Sequence, residues 1–142
     1  MKDGAGDKRT KAYLEHGMIS EEVTFFNKFV EGVDADEVEH YLARLKEFSE
    51  KYIVKHFRFE EEELFPQILK YGSEQEKKIV PVLLEEHEQI FTKLNQLMEQ
   101  IDAYGADPAE QQIEKIMLSS REFLEMVLMH ARKEDAYLSL NR

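Results

Sequence analysis

Apolar residues recur along this chain with a helical period in four stretches, separated by short polar or glycine- and proline-bearing breaks. The first stripe is Ile19, Val23, Phe26 and Val30, and the second is Val38, Leu42, Leu45, Phe48 and Tyr52. The third is Val80, Leu84, Ile90, Phe91, Leu94, Leu97 and Ile101, and the fourth Ile113, Ile116, Phe123, Val127 and Leu138. Residues three and four apart share a helix face, so each stretch predicts a helix with one core-facing side.

The breaks set the expected boundaries. The first helix runs from about Asp7 to Glu31 and stops at Gly32-Val33-Asp34, with Asp34 or Asp36 placed to cap the second. The second runs to about Tyr71, with a break expected near Phe65-Pro66 and Gly72 as its exit. Ser73-Glu74-Gln75-Glu76 reads as a capping box, a hydroxyl followed three residues later by Glu. Pro81 predicts a first-turn break or a kink in the third helix. Gly105-Ala106-Asp107-Pro108 closes that helix and opens the fourth, with Asp107 as N-cap and Pro108 at the first helical position. Links this short force antiparallel neighbours, so the expected fold is all-α, an up-down-up-down four-helix bundle. Residues 1–142 read as one domain, with residues 1–8 a flexible N-terminal tail.

Composition narrows the chemistry. The 142 residues are 42% hydrophobic and 35% charged, enough to bury one core. Six Gly and three Pro are few for a loop-rich fold and favour long helices. Cysteine is absent, which excludes disulfides, thiolate metal sites, iron–sulfur ligation and a cysteine nucleophile. A net charge of −11 disfavours nucleic acid and anionic membranes as partners. The polar start, Met1 to Lys11, lacks the apolar stretch of a secretion signal, and the expected location is cytoplasmic. Met98, Met117 and Met126 read as flexible core or flank fillers.

Four of the five histidines fall on the apolar stripes, one per helix: His16, His56, His87 and His130. His40, two positions from both Val38 and Leu42, should face solvent. A single core histidine is commonly a neutral ring with a hydrogen-bond partner, but four facing one interior each need a buried partner. Glu60 and Glu134 lie four residues after His56 and His130, on the same faces. A carboxylate on a core stripe is costly without compensating charge. Two metal dications would compensate it, with imidazoles as terminal ligands and carboxylates as bridges. A solvated face suits Glu61 and Glu62 but not Glu60.

The pattern repeats within the chain. Leu14-Glu15-His16 through Ile19 matches Glu86-His87 through Ile90, and His56-Phe57-Arg58-Phe59-Glu60 matches His130-Ala131-Arg132-Lys133-Glu134. One helix pair is duplicated, which predicts a pseudo-two-fold axis. Counted from Gly32 and Gly105, the histidines of the two outer hairpins are out of level by roughly 10 Å at the helical rise of about 1.5 Å per residue.

The sequence resembles the hemerythrin-like, or HHE cation-binding, family over nearly its whole length. The resemblance rests on Glu15-His16, His56 through Pro66 with its Glu-Leu-Phe-Pro ending, Glu86-His87, and His130 through Asp135. It implies a hemerythrin-like bundle with an oxo- or hydroxo-bridged di-iron centre, manganese or zinc being possible replacements. Oxygen-carrying hemerythrins bear a second histidine four residues after the third-helix one, where this chain has Phe91. The resulting four-histidine pattern is similar to the repair-of-iron-centres branch. Carried over, it makes His16, His56, His87 and His130 terminal ligands and Glu60 and Glu134 bridges, with Asp135 the alternative to Glu134. The branch's short cysteine-containing N-terminal domain finds no match in a sequence without cysteine, so the resemblance implies the metal site rather than the repair role.

The expected function is therefore binding or reduction of a small oxidant: dioxygen, peroxide or nitric oxide. Iron-cluster repair, or an iron- or oxygen-sensing binding module, is the alternative. Gly17, beside His16, either leaves room for a ligand or is a tolerated helix glycine. Tyr52 and Tyr137 are either hydrogen-bond donors near the ligands or ordinary core tyrosines.

Overall fold

A computed structural model of the chain describes residues 5–30, 37–138 and 140. Its described residues form four helices without a strand. The first, α1, spans Ala5–Val30. The second, α2 (38–71), is one continuous helix of changing type: α-helical Val38–Glu47, π-helical Phe48–Ile53, α-helical Val54–Phe59, π-helical Glu60–Leu64 and α-helical Phe65–Tyr71. The third, α3, spans Glu74–Ala106 and the fourth, α4, Glu110–Tyr137. Helix α1 packs on α2 and α4, and α3 packs on α2 and α4, closing a four-helix bundle.

Several expected boundaries move, each for a local reason. Helix α1 starts at Ala5, so residues 5–8 are helical rather than a tail, and Arg9 is tied down by Glu76 and by the Leu138 carbonyl. The expected caps Asp34 and Asp36 lie outside the described residues, as does the side chain of Val30. No break occurs at Phe65-Pro66. A π-helical turn ends directly before Phe65, and its wider i→i+5 spacing accommodates a proline that has no N–H to donate. Pro81 sits inside α3, which runs through it.

Ser73 caps α3 as expected: its hydroxyl accepts from the Glu76 N–H at 3.1 Å while the Ser73 N–H donates to Glu76 Oε1 at 2.8 Å. Gly72 must be glycine, because a Cβ there would meet the Ile68 carbonyl oxygen at 2.6 Å. Asp107 does not cap α4. Pro108 holds the preceding residue out of the helical region, and Asp107 (φ −147°, ψ 82°) instead ends α3, leaving Ala109 before the first residue of α4.

The stripes pack largely as their period requires, with two corrections. Tyr52, expected in the core, is 50% exposed and Ile53 is buried instead. The π-helical turn at Phe48–Ile53 takes more residues per turn, so the core-facing position falls one residue later. Leu84 is 37% exposed and Leu83 takes its place, three residues from Val80 and four from His87. Met98, Met117 and Met126 pack against the core from partly buried positions. Two separate apolar clusters result. One contains Ile19, Phe26, Leu45, Ile90, Leu97, Phe123 and Val127; the other contains Ala12, Phe59, Leu64, Phe65, Ile68, Leu83 and Leu138. A buried polar layer lies between them in sequence on α1, α3 and α4, and on α2 its two members flank the junction of the clusters at Phe57 and Phe59. Among the described residues no helix is long and apolar enough to cross a membrane.

Candidate metal centre

The polar layer is His16 on α1, His56 and Glu60 on α2, His87 on α3, and His130 and Glu134 on α4. All six are buried, with Glu60 and Glu134 fully so. His40 is exposed, as its position between core residues requires. The structure therefore brings together the four histidines and two glutamates that the periodicity placed on the interior face.

The rings point the same way. His16 Nε2 lies 3.0 Å from His56 Nε2, and His87 Nε2 lies 2.9 Å from His130 Nε2. Both outer hairpins thus bring their histidines level; in the second, α3 runs through Gly105 to Ala106 and α4 starts at Glu110, so the link falls later than the count to Gly105 placed it. Glu60 reaches three rings, at 3.2 Å from His16, 3.0 Å from His56 and 2.9 Å from His87, with His130 at 3.8 Å. Glu134 lies 3.1 Å from His16 Nε2 and 3.3 Å from His130 Nε2. These distances suit ion pairing, yet neither Glu134 oxygen has a hydrogen bond of proper geometry.

The outward nitrogen of each ring is held by a different carboxylate. His16 Nδ1 pairs with Asp135 at 2.7 Å, His56 with Glu15 at 2.6 Å, His87 with Glu61 at 2.7 Å and His130 with Glu86 at 2.8 Å. Lys133 in turn binds Glu86. An Nδ1–H donating to a carboxylate fixes the tautomer that leaves the Nε2 lone pair free. All four lone pairs then converge on the space beside Glu60 and Glu134.

This acid set was only partly legible. Asp135 stood as a rival to Glu134, but it is partly exposed and faces the outer nitrogen of His16. Glu61, read as part of a solvated face, holds His87. The signal was present in the repeat: Glu61 and Asp135 each follow a helix-borne histidine by five residues, and Glu15 and Glu86 each precede one. Tyr52 and Tyr137 are 50% and 59% exposed, so neither is a core tyrosine, and no hydrogen bond joins either to the layer. Gly17 faces open space rather than the layer.

Without a metal, protons on the rings answer the charge of the carboxylates. Burial pulls the His16 ring down, but Asp135, Glu134 and Glu60 outweigh it and its pKa is pushed up to about 12. For His56 burial is outweighed by Glu60 and Glu15, giving about 9, and for His130 by Glu134 and Glu60, giving about 10. Burial also opposes ionisation of Glu60, but the surrounding rings hold its carboxyl well below the ordinary range. Burial and the neighbouring Glu60 charge push Glu134 up.

Two overlapping groups have the geometry to hold a metal ion: His16, His56, Glu60 and Glu134, and Glu60, His87, His130 and Glu134, with the donor atoms of each within 4.8 Å of one another. The nitrogen–oxygen donor set, the converging lone pairs and the orphaned Glu134 oxygens fit divalent cations. Aromatic rings wall one side. Phe57 stacks flat on His87 at 3.9 Å and 7°, meets Phe91 edge-on, and Phe65 lies 5.6 Å from His87.

A family model described as the hemerythrin HHE cation binding domain matches residues 10–139. No curated protein and no solved structure matches the chain.

Proposed function

The chain belongs to the hemerythrin HHE cation-binding domain family, and from that premise we propose that it holds a di-iron centre which binds or reduces dioxygen, peroxide or nitric oxide. His16 and His56 would serve one metal ion, His87 and His130 the other, and Glu60 and Glu134 both. Asp135 is assigned to orienting His16, not to a metal. The observation that carries the reading is the convergence of four Nε2 atoms whose Nδ1 partners are already engaged.

The bound iron pair would supply electrons to an oxidant taken from solution. The chain supplies the rest. Glu15, Glu61, Glu86 and Asp135 aim the rings, and the two apolar clusters exclude bulk water from either end of the layer. Phe57, Phe65 and Phe91 present no donor or acceptor, so the half they wall offers a ligand no hydrogen bond of theirs. Manganese or zinc would satisfy the same donors, so iron is decided by measurement and not by geometry.

The deciding experiment is metal analysis of freshly purified protein, with visible spectra before and after air. Two irons per chain, one for each group, lost in His56→Ala and Glu134→Ala, support the centre. Turnover of peroxide or nitric oxide then separates catalysis from sensing, and iron transfer to an apo-cluster acceptor tests repair. A folded protein that takes up no metal overturns the reading.

A further inference from the structure

Helix α1 is apolar on two sides. Ala12, Ile19, Val23 and Phe26 face the core, while Leu14 is 61% exposed, Met18 53% and Phe25 36%. A surface helix normally buries one stripe and leaves the other side polar. The exposed apolar residues are also regularly placed. With Lys11, Glu21 and Lys28 they give the series Lys11, Leu14, Met18, Glu21, Phe25, Lys28, alternating steps of three and four, and every member is exposed. That is the seam spacing of a coiled coil, laid on the face away from the bundle.

The order of charges along the seam selects its occupant. Two parallel copies in register would set Lys11 against Lys11 and Glu21 against Glu21. Two antiparallel copies, turned about an axis midway between Leu14 and Met18, set Leu14 against Met18 of the second copy and Lys11 against Glu21 of the second copy. A two-fold axis makes each of these contacts twice. We propose that this face of α1 joins two copies of the chain as an antiparallel two-fold dimer.

Neighbouring positions fit such a contact. Gly17 flanks the seam, and a Cβ there would meet nothing within 4 Å, so a second helix can approach closely. The Lys11 side chain is 54% exposed; its ammonium lies 4.1 Å from the Phe59 ring centroid and 3.9 Å from Glu15, and would exchange these contacts for Glu21 of the second copy. The net charge of −11 opposes self-association, but at physiological ionic strength charges more than about 8 Å apart are largely screened. The seam has one apolar layer on each side of the axis, Leu14 against Met18 of the second copy, so the dimer is in the weak class of interfaces. Glu15, which holds His56, stands at the edge of this contact, and dimerisation would bury it further.

The test is sedimentation velocity of the full chain from about 5 to about 500 µM at roughly 0.15 M salt. The expected result is a concentration-dependent dimer that Leu14→Glu abolishes. Lys11→Glu should weaken it at least tenfold, and Lys11→Glu combined with Glu21→Lys should restore it. Circular dichroism and metal content, unchanged across the set, keep loss of the fold apart from loss of the contact. A monomer at every concentration, a dimer indifferent to Leu14→Glu, or a double reversal that fails to rescue would each overturn the assignment.

Discussion

Replacing Glu134 with glutamine should cost the metal-free protein much less than the same change at Glu60, while destroying its capacity for metal. Glu60 and Glu134 occupy equivalent places in the repeat, yet their surroundings differ. Glu60 lies within 3.2 Å of three rings, and those rings hold its charge in place. Glu134 has no hydrogen bond to either oxygen, and burial with the Glu60 charge pushes its pKa up. Glutamine keeps the shape and removes the charge. At Glu134 it removes a charge that burial and Glu60 disfavour, but also a partner of His16 and His130, and leaves a buried amide in its place. The two effects oppose, and a net change within about 1 kcal/mol is expected. At a domain of this size that is a Tm shift of no more than roughly 4 °C. At Glu60 the same change strands the rings it neutralises, a loss of about 3 kcal/mol and roughly 10 °C.

Metal should separate the wild type from both variants. Ligand present at a thousandfold its Kd adds about 4 kcal/mol to the wild type, and neither variant should gain it. Thermal melts followed by circular dichroism, with chelator and then with ferrous iron, read all six states. The reasoning fails if Glu134→Gln is as destabilising as Glu60→Gln without metal, or if it still binds two ions.

Asp135→Asn and Glu61→Gln should retain metal but bind it about 10–100-fold more weakly, as measured by competition with a coloured chelator; total loss in Asp135→Asn would make Asp135 a ligand. Stability of the metal-free protein should fall as pH rises. His56 and His130 have folded pKa values of about 9 and 10 against 6.5 unfolded, so their contribution is complete below about 6.5 and is lost through 9 and 10. Urea midpoints across that window should decline without metal and stay level with it, and a flat metal-free profile would contradict the ring assignments. Gly72→Ala should cost about 1–3 kcal/mol, because the new methyl meets backbone at 2.6 Å; an unchanged denaturation midpoint would show that the turn yields.

The helical period carried most of the fold, since a residue's face follows from its spacing as long as the helix keeps one geometry. It failed where that geometry changes. Tyr52 was misplaced because the helix widens to π geometry at Phe48–Ile53, a change that leaves no composition of its own. The six interior residues were legible because His and Glu are rarely placed on a core stripe without reason. Glu15, Glu61 and Glu86 were not, because partly exposed glutamates in a chain with 30 acidic residues look like ordinary surface. Asp107 was read as a cap from its residue type, but the proline after it dictates its backbone.

The four outer carboxylates come two from each repeat, and each repeat lends one to the other. Glu15 holds His56 and Glu86 holds His130, each within its own half of the chain. Glu61 of the first half holds His87 of the second, and Asp135 of the second holds His16 of the first. Both groups of candidate donors also draw on both halves through Glu60 and Glu134. A single helix pair, cut free, would therefore lack the acid that aims its own leading histidine and one of its two shared carboxylates. Two identical pairs related by a two-fold axis would supply each other with both. What the chain repeats is half of a site, and ancestry through two self-associating copies, later joined end to end, accounts for a protein in which neither half can be complete alone.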